Sequence, residues 1–378
     1  MDKINLLATI AVVTMFISLF LSFFLITVKT EHKLSNRLFA FFLVLTAIDI
    51  VGGQGSLLEI PLNARIFISS FFFLQLPAFY LYVLSVCYAD FKLKPVHLIH
   101  TATFLVANLT LLPRFYAVNL AAKISFLEKS STRPEIQLNH ILMHIQIVLY
   151  LIAAFMILRK ARKIYLENYA GASMESLHWL FQFTLALSIF YVIALLKNIF
   201  KFTEYPGISE WLKVGLLLFT LVSICWYLYK ALNHPELFRN IDSKLKLVRN
   251  IISEEQNREQ SAVSENEYNE ELLKLKKYMN EEKPFLNPSL TIQDISREIK
   301  IPVRDLSILI NHKQEQHFYD FVNTYRIERA MDILKDVTKN KVTVLEILYD
   351  VGFNSKSSFN TAFKKHTGKT PTSYRKDL

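Results

Sequence analysis

Two textures divide the chain. From Ile4 to Leu232 it reads as repeated apolar runs, and from Pro235 to Leu378 as an ordinary polar globular sequence. A membrane-spanning helix needs ~20 mainly apolar residues to cross ~30 Å of hydrocarbon. Runs of that kind fall at Ile4–Val28, Leu38–Leu58, Ile66–Ala89, Val96–Leu112, Leu138–Leu158, Leu177–Phe200 and Ile208–Tyr229. Asp49 and Gly52-Gly53 interrupt the second, and the fourth is short. The pattern predicts a polytopic transmembrane helical bundle of about seven spans over residues 1–232.

Past Pro235 the period changes. Ile241, Leu245, Val248 and Ile252 recur at spacings of three and four, an acidic stretch follows from Ser253 to Glu271, and Leu272, Leu275 and Met279 resume the stripe. Residues 233–283 therefore read as a helical, acidic linker. Two readings of its stripe stay open, a dimerising coiled coil and a solvated connector.

The tail, residues 284–378, contains an internal echo. Thr291-Ile-Gln-Asp294-Ile295-Ser-Arg-Glu298-Ile299 matches Thr343-Val-Leu-Glu346-Ile347-Leu-Tyr-Asp350-Val351. Each opens with Thr and places an acid three residues on, as a helix capping box does. A short break follows in each copy, Lys300-Ile-Pro302 and Gly352-Phe-Asn354, and then a second apolar-periodic segment carrying Leu306 and Ile310 or Phe359 and Phe363. Helix, tight turn and helix is the geometry that seats a recognition helix in a major groove. Between the copies, Phe318, Phe321, Val322, Tyr325, Ala330 and Leu334 mark one longer amphipathic helix, a rigid spacer between the two units. The expected fold is thus all-α: a membrane bundle, a linker, and an all-α domain with two helix-turn-helix units.

Charge now acquires a meaning. Lys and Arg number 43 against 33 Asp and Glu, a net of +10. Basic residues follow the first span (Lys29, Lys33, Arg37), the third (Lys92, Lys94), the fifth (Arg159, Lys160, Arg162, Lys163) and the last. Because cytoplasmic loops collect Lys and Arg, this places the amino terminus outside and the tail in the cytoplasm of a bacterial inner membrane. The first apolar run is too long for a leader peptide and its basic residues follow it, so no cleavable signal is expected. Cys87 and Cys225 both lie in apolar runs and suggest neither a disulfide framework nor a metal knuckle.

Ionisable groups in lipid are costly and are functional candidates for that reason. Asp49, Lys197 and the pair His140 and His144 qualify as a possible membrane-domain sensor. Two histidines one helical turn apart lack a third ligand, and no metal or cofactor is called for. With 8 glycines in the whole chain there is little room for phosphate-cradling loops, and no nucleophile motif is present, so an enzyme is not expected.

Residues Pro284 to Arg375 resemble the DNA-binding domain of the AraC/XylS family of bacterial transcription regulators. The likeness is strongest in Val351-Gly-Phe-Asn-Ser-Lys-Ser-Ser-Phe-Asn-Thr-Ala-Phe-Lys-Lys-His-Thr-Gly-Lys-Thr-Pro-Thr-Ser-Tyr-Arg375, and Phe321-Val322, Arg326-Ile327, Ala330 and Leu334 fit its connecting helix. Preceding spans and linker look like a membrane-bound branch of that family. The resemblance implies DNA contact by Lys356, Ser357, Asn360 and Thr361, with Lys364 and Lys365 on phosphates, and by Arg304 and Ser307 in the first unit. It implies a structural turn at Gly352 and Phe353. Lys300 and Glu315 stand where glycine is common, and Ile308 where a polar reader is usual. Implied partners are double-stranded DNA, the lipid bilayer, a second copy in a homodimer, an unknown ligand and RNA polymerase. The competing expectation is a membrane receptor whose tail is a protein-interaction module.

Overall fold

The structure, a computed structural model, describes residues 3–28, 33–53, 60–88, 90–129, 132–171, 174–200, 206–233, 265–339 and 341–377. It divides into two compact units. The first comprises Met1–Leu158 and Trp179–Asn240, and the second Arg159–His178 and Ile241–Leu378.

The first unit is helical throughout: α1 (Lys3–Thr27), α2 (Lys33–Gly53), α3 (Leu62–Ser70), α4 (Phe72–Cys87), α5 (Ala102–Leu111), α6 (Leu120–Glu128), most of α7 (Pro134–Asn168), most of α8 (Met174–Phe200), and α9 (Pro206–Asn233). Seven segments are long and apolar enough to cross a membrane, the third joining α3 to α4 and the fourth running Pro95–Tyr116 through α5. They mark a multi-pass membrane protein. The expected second span, Leu38–Leu58, is shifted: α2 starts at Lys33, and residues 54–58 lie outside the described residues.

Several hydroxyls inside this unit donate to backbone carbonyls, which a hydrocarbon surrounding favours. Thr14 Oγ1 donates to the Ile10 carbonyl and Ser18 Oγ to that of Thr14, both one turn back. Ser22 Oγ crosses to the Ala40 carbonyl of α2 at 3.1 Å. Pro77 sits inside α4 and has no N–H, so the carbonyl of Phe73, four residues earlier, loses its helical donor. Gln146 of α7 replaces it: its Nε2 donates to Phe73 O at 2.6 Å.

One helix was not legible. The Pro113–Gln137 stretch, between the fourth and fifth apolar runs, contains α6, started by Asn119, whose side chain accepts from the Ala122 N–H. Phe126 of α6 is buried with Leu111 and Phe115.

The second unit holds α10 (Glu265–Glu281), α11 (Ile292–Ile299), α12 (Val303–Ile308), α13 (Phe318–Lys335), α14 (Val344–Asp350), α15 (Lys356–Thr367) and α16 (Pro371–Lys376). Ile292, Ile295, Ile299, Leu306 and Ile310 form a first core, and Ile347, Leu348, Val351, Phe359 and Phe363 a second. α13 belongs to both. Phe318, Phe321 and Val322 enter the first core, while Ile327, Ala330 and Leu334 enter the second.

Neither reading of the linker stripe fits α10. Leu275 and Met279 are fully buried in the first core, so that part of the stripe is spent on the helix-turn-helix unit. Ile241, Leu245, Val248 and Ile252 lie outside the described residues.

The second unit also contains residues from the α7–α8 connection. Ala170 is buried in the first core, and its N–H donates to the Leu290 carbonyl at 3.1 Å. Tyr169 and Thr291 form an antiparallel bridge, and Asn311 Nδ2 donates to the Glu167 carbonyl at 3.2 Å.

Candidate nucleic-acid interface

Both helix-turn-helix units are started by complete capping boxes. Thr291 N–H donates to Asp294 Oδ2 at 3.0 Å while Asp294 N–H donates to Thr291 Oγ1 at 3.3 Å. Thr343 and Glu346 repeat the exchange at 2.6 and 3.1 Å. The shorter Asp294 side chain thus serves as well as a glutamate. Those bonds from Thr343 hold the Glu346 carboxyl below the usual carboxylate range.

Turn geometry follows. Gly352 has φ 90°, and a Cβ there would stand 2.5 Å from the Phe285 carbonyl oxygen, so both backbone and space demand glycine. Phe353 beside it is buried against Phe359, with ring centroids 5.2 Å apart. Lys300 and Glu315 take φ of 54° and 50°, the left-handed conformation glycine would adopt freely. Side chains accept that conformation at roughly 1–2 kcal/mol, and the first unit keeps its fold at that cost.

On α15, Phe359 and Phe363 face the core. Ser357, Thr361 and Lys364, spaced four and three apart, make the opposite, exposed face, flanked by exposed Lys356 and half-buried Asn360. Ser355 starts the helix by accepting from Ser358 N–H, and Gly368, φ 75°, ends it. Lys365 stands on the other shoulder, where its Nζ pairs with Asp320 of α13 at 2.6 Å. That lysine is therefore engaged within the protein, unlike Lys364, which has no ion-pair partner among the described residues. Lys369 likewise pairs with Asp377 at 3.0 Å.

The first unit offers less. Arg304 is exposed on α12, but Ser307 is only 3% exposed, and its Oγ accepts from Asn311 Nδ2 at 3.1 Å. Ser307 is a packing residue, which corrects its assignment as a DNA contact. Ile308 is half-buried.

Sequence reasoning placed Arg326 on the connecting helix without a role. It is 1% exposed where the two cores meet on α13. Its Nε donates to Phe285 O at 2.7 Å, Nη2 to Asn287 O at 2.8 Å, and Nη1 to Ala170 O at 2.6 Å and Asn323 Oδ1 at 3.1 Å. The guanidinium also lies over the Phe353 ring, 5.4 Å from its centroid. Burial lowers its pKa to about 10, so it is charged at neutral pH and held by carbonyl dipoles.

In the first unit of the fold, Asp49, His140, His144 and Lys197 all line one cavity of about 580 Å³, together with Lys213. Among the described residues no three metal-ligating side chains converge.

The family model described as a helix-turn-helix domain matches residues 295–377. The chain is similar to the Msm operon regulatory protein of Streptococcus mutans, 25% identical over 107 residues, 27% of this chain and 37% of that protein. It is also similar to the melibiose operon regulatory protein of Escherichia coli strain K12, 27% identical over 88 residues, 23% of this chain and 28% of that protein. The chain spans between about a quarter and two fifths of these relatives' length. No solved structure matches it.

Proposed function

We propose a membrane-embedded transcription regulator whose carboxyl-terminal domain, matched as a helix-turn-helix domain over residues 295–377, is of the AraC type and binds DNA. One observation carries the reading: Ser357, Asn360, Thr361 and Lys364 line the outward side of a capped helix fixed by Phe359 and Phe363. Asn360 has the donor and acceptor that pair bidentately with adenine, and Lys356 and Lys364 supply charge for guanine or phosphate. Arg304 leaves the first unit with a phosphate grip and little base reading.

In this reading the amino terminus lies outside and the tail in the cytoplasm, as the loop lysines and arginines argue. The regulator works as a homodimer, contacts RNA polymerase, and answers a ligand in the membrane half. The bond from Arg326 to Ala170 supports a route for that answer that bypasses the linker, because Ala170 belongs to the α7–α8 connection. The protein-interaction alternative has less support, since Lys300 and Glu315 adopt the left-handed turn conformations where glycine is common.

The test is selection of genomic fragments by the full chain in nanodiscs across a salt series. Selective binding that Asn360→Ala and Lys356→Ala abolish, and Ser307→Ala leaves unchanged, is the expected result. Unselective binding with a steep salt slope would reduce the domain to a phosphate grip, and absent binding would overturn the reading.

A further inference from the structure

The cavity in the membrane unit is polarised along its length. Asp49 lies toward the end of α2, Lys197 toward the end of α8, Lys213 toward the start of α9, and His140 and His144 toward the start of α7. Phe39, Phe183 and Tyr227 line the same cavity much farther along those helices. At 1.5 Å per residue, Asp49 stands ~15 Å from Phe39 along α2, and Lys197 ~21 Å from Phe183 along α8. Lys213 and Tyr227 on α9 give ~21 Å again. Three helices thus agree that charge gathers at one end, while the lining from there to Phe39, Phe183 and Tyr227 carries no further charge.

The sign of the charged end is positive. Among the described residues that line the cavity, Lys197 interacts electrostatically with Asp49, which leaves Lys213 as the charge in excess, with the two imidazoles of His140 and His144 lining the same cavity. Its volume of about 580 Å³ is within the ~300–1,000 Å³ typical of sites for small organic ligands.

We propose that this cavity binds an anionic amphiphile, its carboxylate or phosphate head among Lys197, Lys213 and the two histidines, an apolar chain laid toward Phe39 and Phe183. The proposal rests on the membrane-embedded reading and supplies the chemistry of its ligand. An uncharged lipid would leave the half-buried lysine surplus unmatched, which is costly in hydrocarbon. A cationic amphiphile would have to displace Lys197 from Asp49 and leave two ammonium groups behind.

The test uses the full chain in phosphatidylcholine nanodiscs and a hexadecanoate carrying a diazirine in its chain. Saturable labelling of cavity residues on α2 or α8 is expected, competed by hexadecanoate and at least tenfold less well by hexadecanol or hexadecylamine. Lys197→Met with Lys213→Met should weaken labelling tenfold or more, and the corresponding arginine pair should restore it. Better competition by the amine would overturn the assignment of charge, as would equal competition by all three. Non-saturable labelling spread over lipid-facing residues would sink the site itself. Competition among the free probes needs no variant, so a misfolded double variant leaves the test intact. Nanodiscs containing phosphatidylglycerol separate the sources: suppressed labelling identifies a bilayer phospholipid as occupant, and unchanged labelling a free acid. DNA selection by the same sample reads the regulator function separately, so either failure is recognised as its own.

Discussion

Arg326 donates from Nη1 to the carbonyl oxygen of Ala170 at 2.6 Å, joining positions 156 residues apart in the chain. Its other bonds fix the 285–287 turn, so one side chain ties that turn, α13 and the α7–α8 connection together. Replacing it with methionine strands several buried carbonyls, and should cost at least about 3 kcal/mol. Arg326→Lys should recover less than half, because one ammonium cannot reach the same separated acceptors. Denaturant unfolding of the full chain measures both, and a loss under 1 kcal/mol would show the guanidinium to be dispensable.

Gly171 tests the same contact from the other side. A Cβ there would lie 3.0 Å from the Pro288 carbonyl oxygen and 3.4 Å from the Tyr165 hydroxyl, which donates to the Gly171 carbonyl. Gly171→Val should expose the connection to protease while the capping boxes and both cores stay intact. Unchanged proteolysis at 165–171 would contradict the packing described.

Gln146 and Pro77 should be coupled. Gln146→Leu orphans the Phe73 carbonyl and is expected to cost about 1–2 kcal/mol, whereas Pro77→Ala restores the helical donor. Combined with Pro77→Ala, the loss of Gln146 should become nearly neutral. Additive effects in a double-mutant cycle would rule out the replacement of one donor by the other.

How much of this was legible beforehand divides by the kind of signal. Span lengths were readable because hydrocarbon thickness fixes them, and Asp49, Lys197, His140 and His144 stood out because charge in lipid is expensive; they line one cavity. The echoed Thr-x-x-acid pattern marked both capping boxes. Ser307 was misassigned because a six-residue helix gives little phase. Its spacing of three from Ile310 was the available hint of burial. Arg326 matched the connecting helix, but its role had no signature, since three of its acceptors are backbone carbonyls, and any residue supplies those. The same holds for α10, whose Leu275 and Met279 look alike in a connector and in a core.

Left-handed lysine and glutamate define another prediction. Lys300→Gly and Glu315→Gly should each stabilise the first unit by about 1 kcal/mol, the strain released exceeding glycine's added unfolded-state entropy. Thermal unfolding reads this directly, and destabilisation by both would mean their side chains contribute more than their backbones lose.

Lys364 and Lys365 should separate in a salt series. Lys364→Ala is expected to lower the salt slope of DNA binding by about 0.9, the value of one phosphate contact. Lys365→Ala should change it less, because Asp320 already holds that ammonium at 2.6 Å. Asp320→Asn should free it and raise the slope. Equal slopes for both lysine variants would argue against the division of roles.

Acid should weaken the second unit's start. Glu346 has its folded-state pKa depressed by the Thr343 N–H and hydroxyl, so its contribution is present above the ordinary carboxylate range. It is lost as pH falls through the depressed folded value. Glu346→Gln should flatten that part of the pH–stability curve, and an unchanged curve would assign the acid sensitivity elsewhere.

α13 finally sets a phase relation. Each residue inserted into it would rotate the second reading head by about 100° and advance it by about 1.5 Å relative to the first. Seven added residues nearly restore the rotation but displace the head by roughly 10 Å, about a third of the 34 Å turn of the duplex. No insertion of that size returns both quantities at once. On the proposed reading, the interval between the two stretches of DNA this domain touches is written in the length of one helix, and an operator with altered spacing would have to be met by bending the DNA.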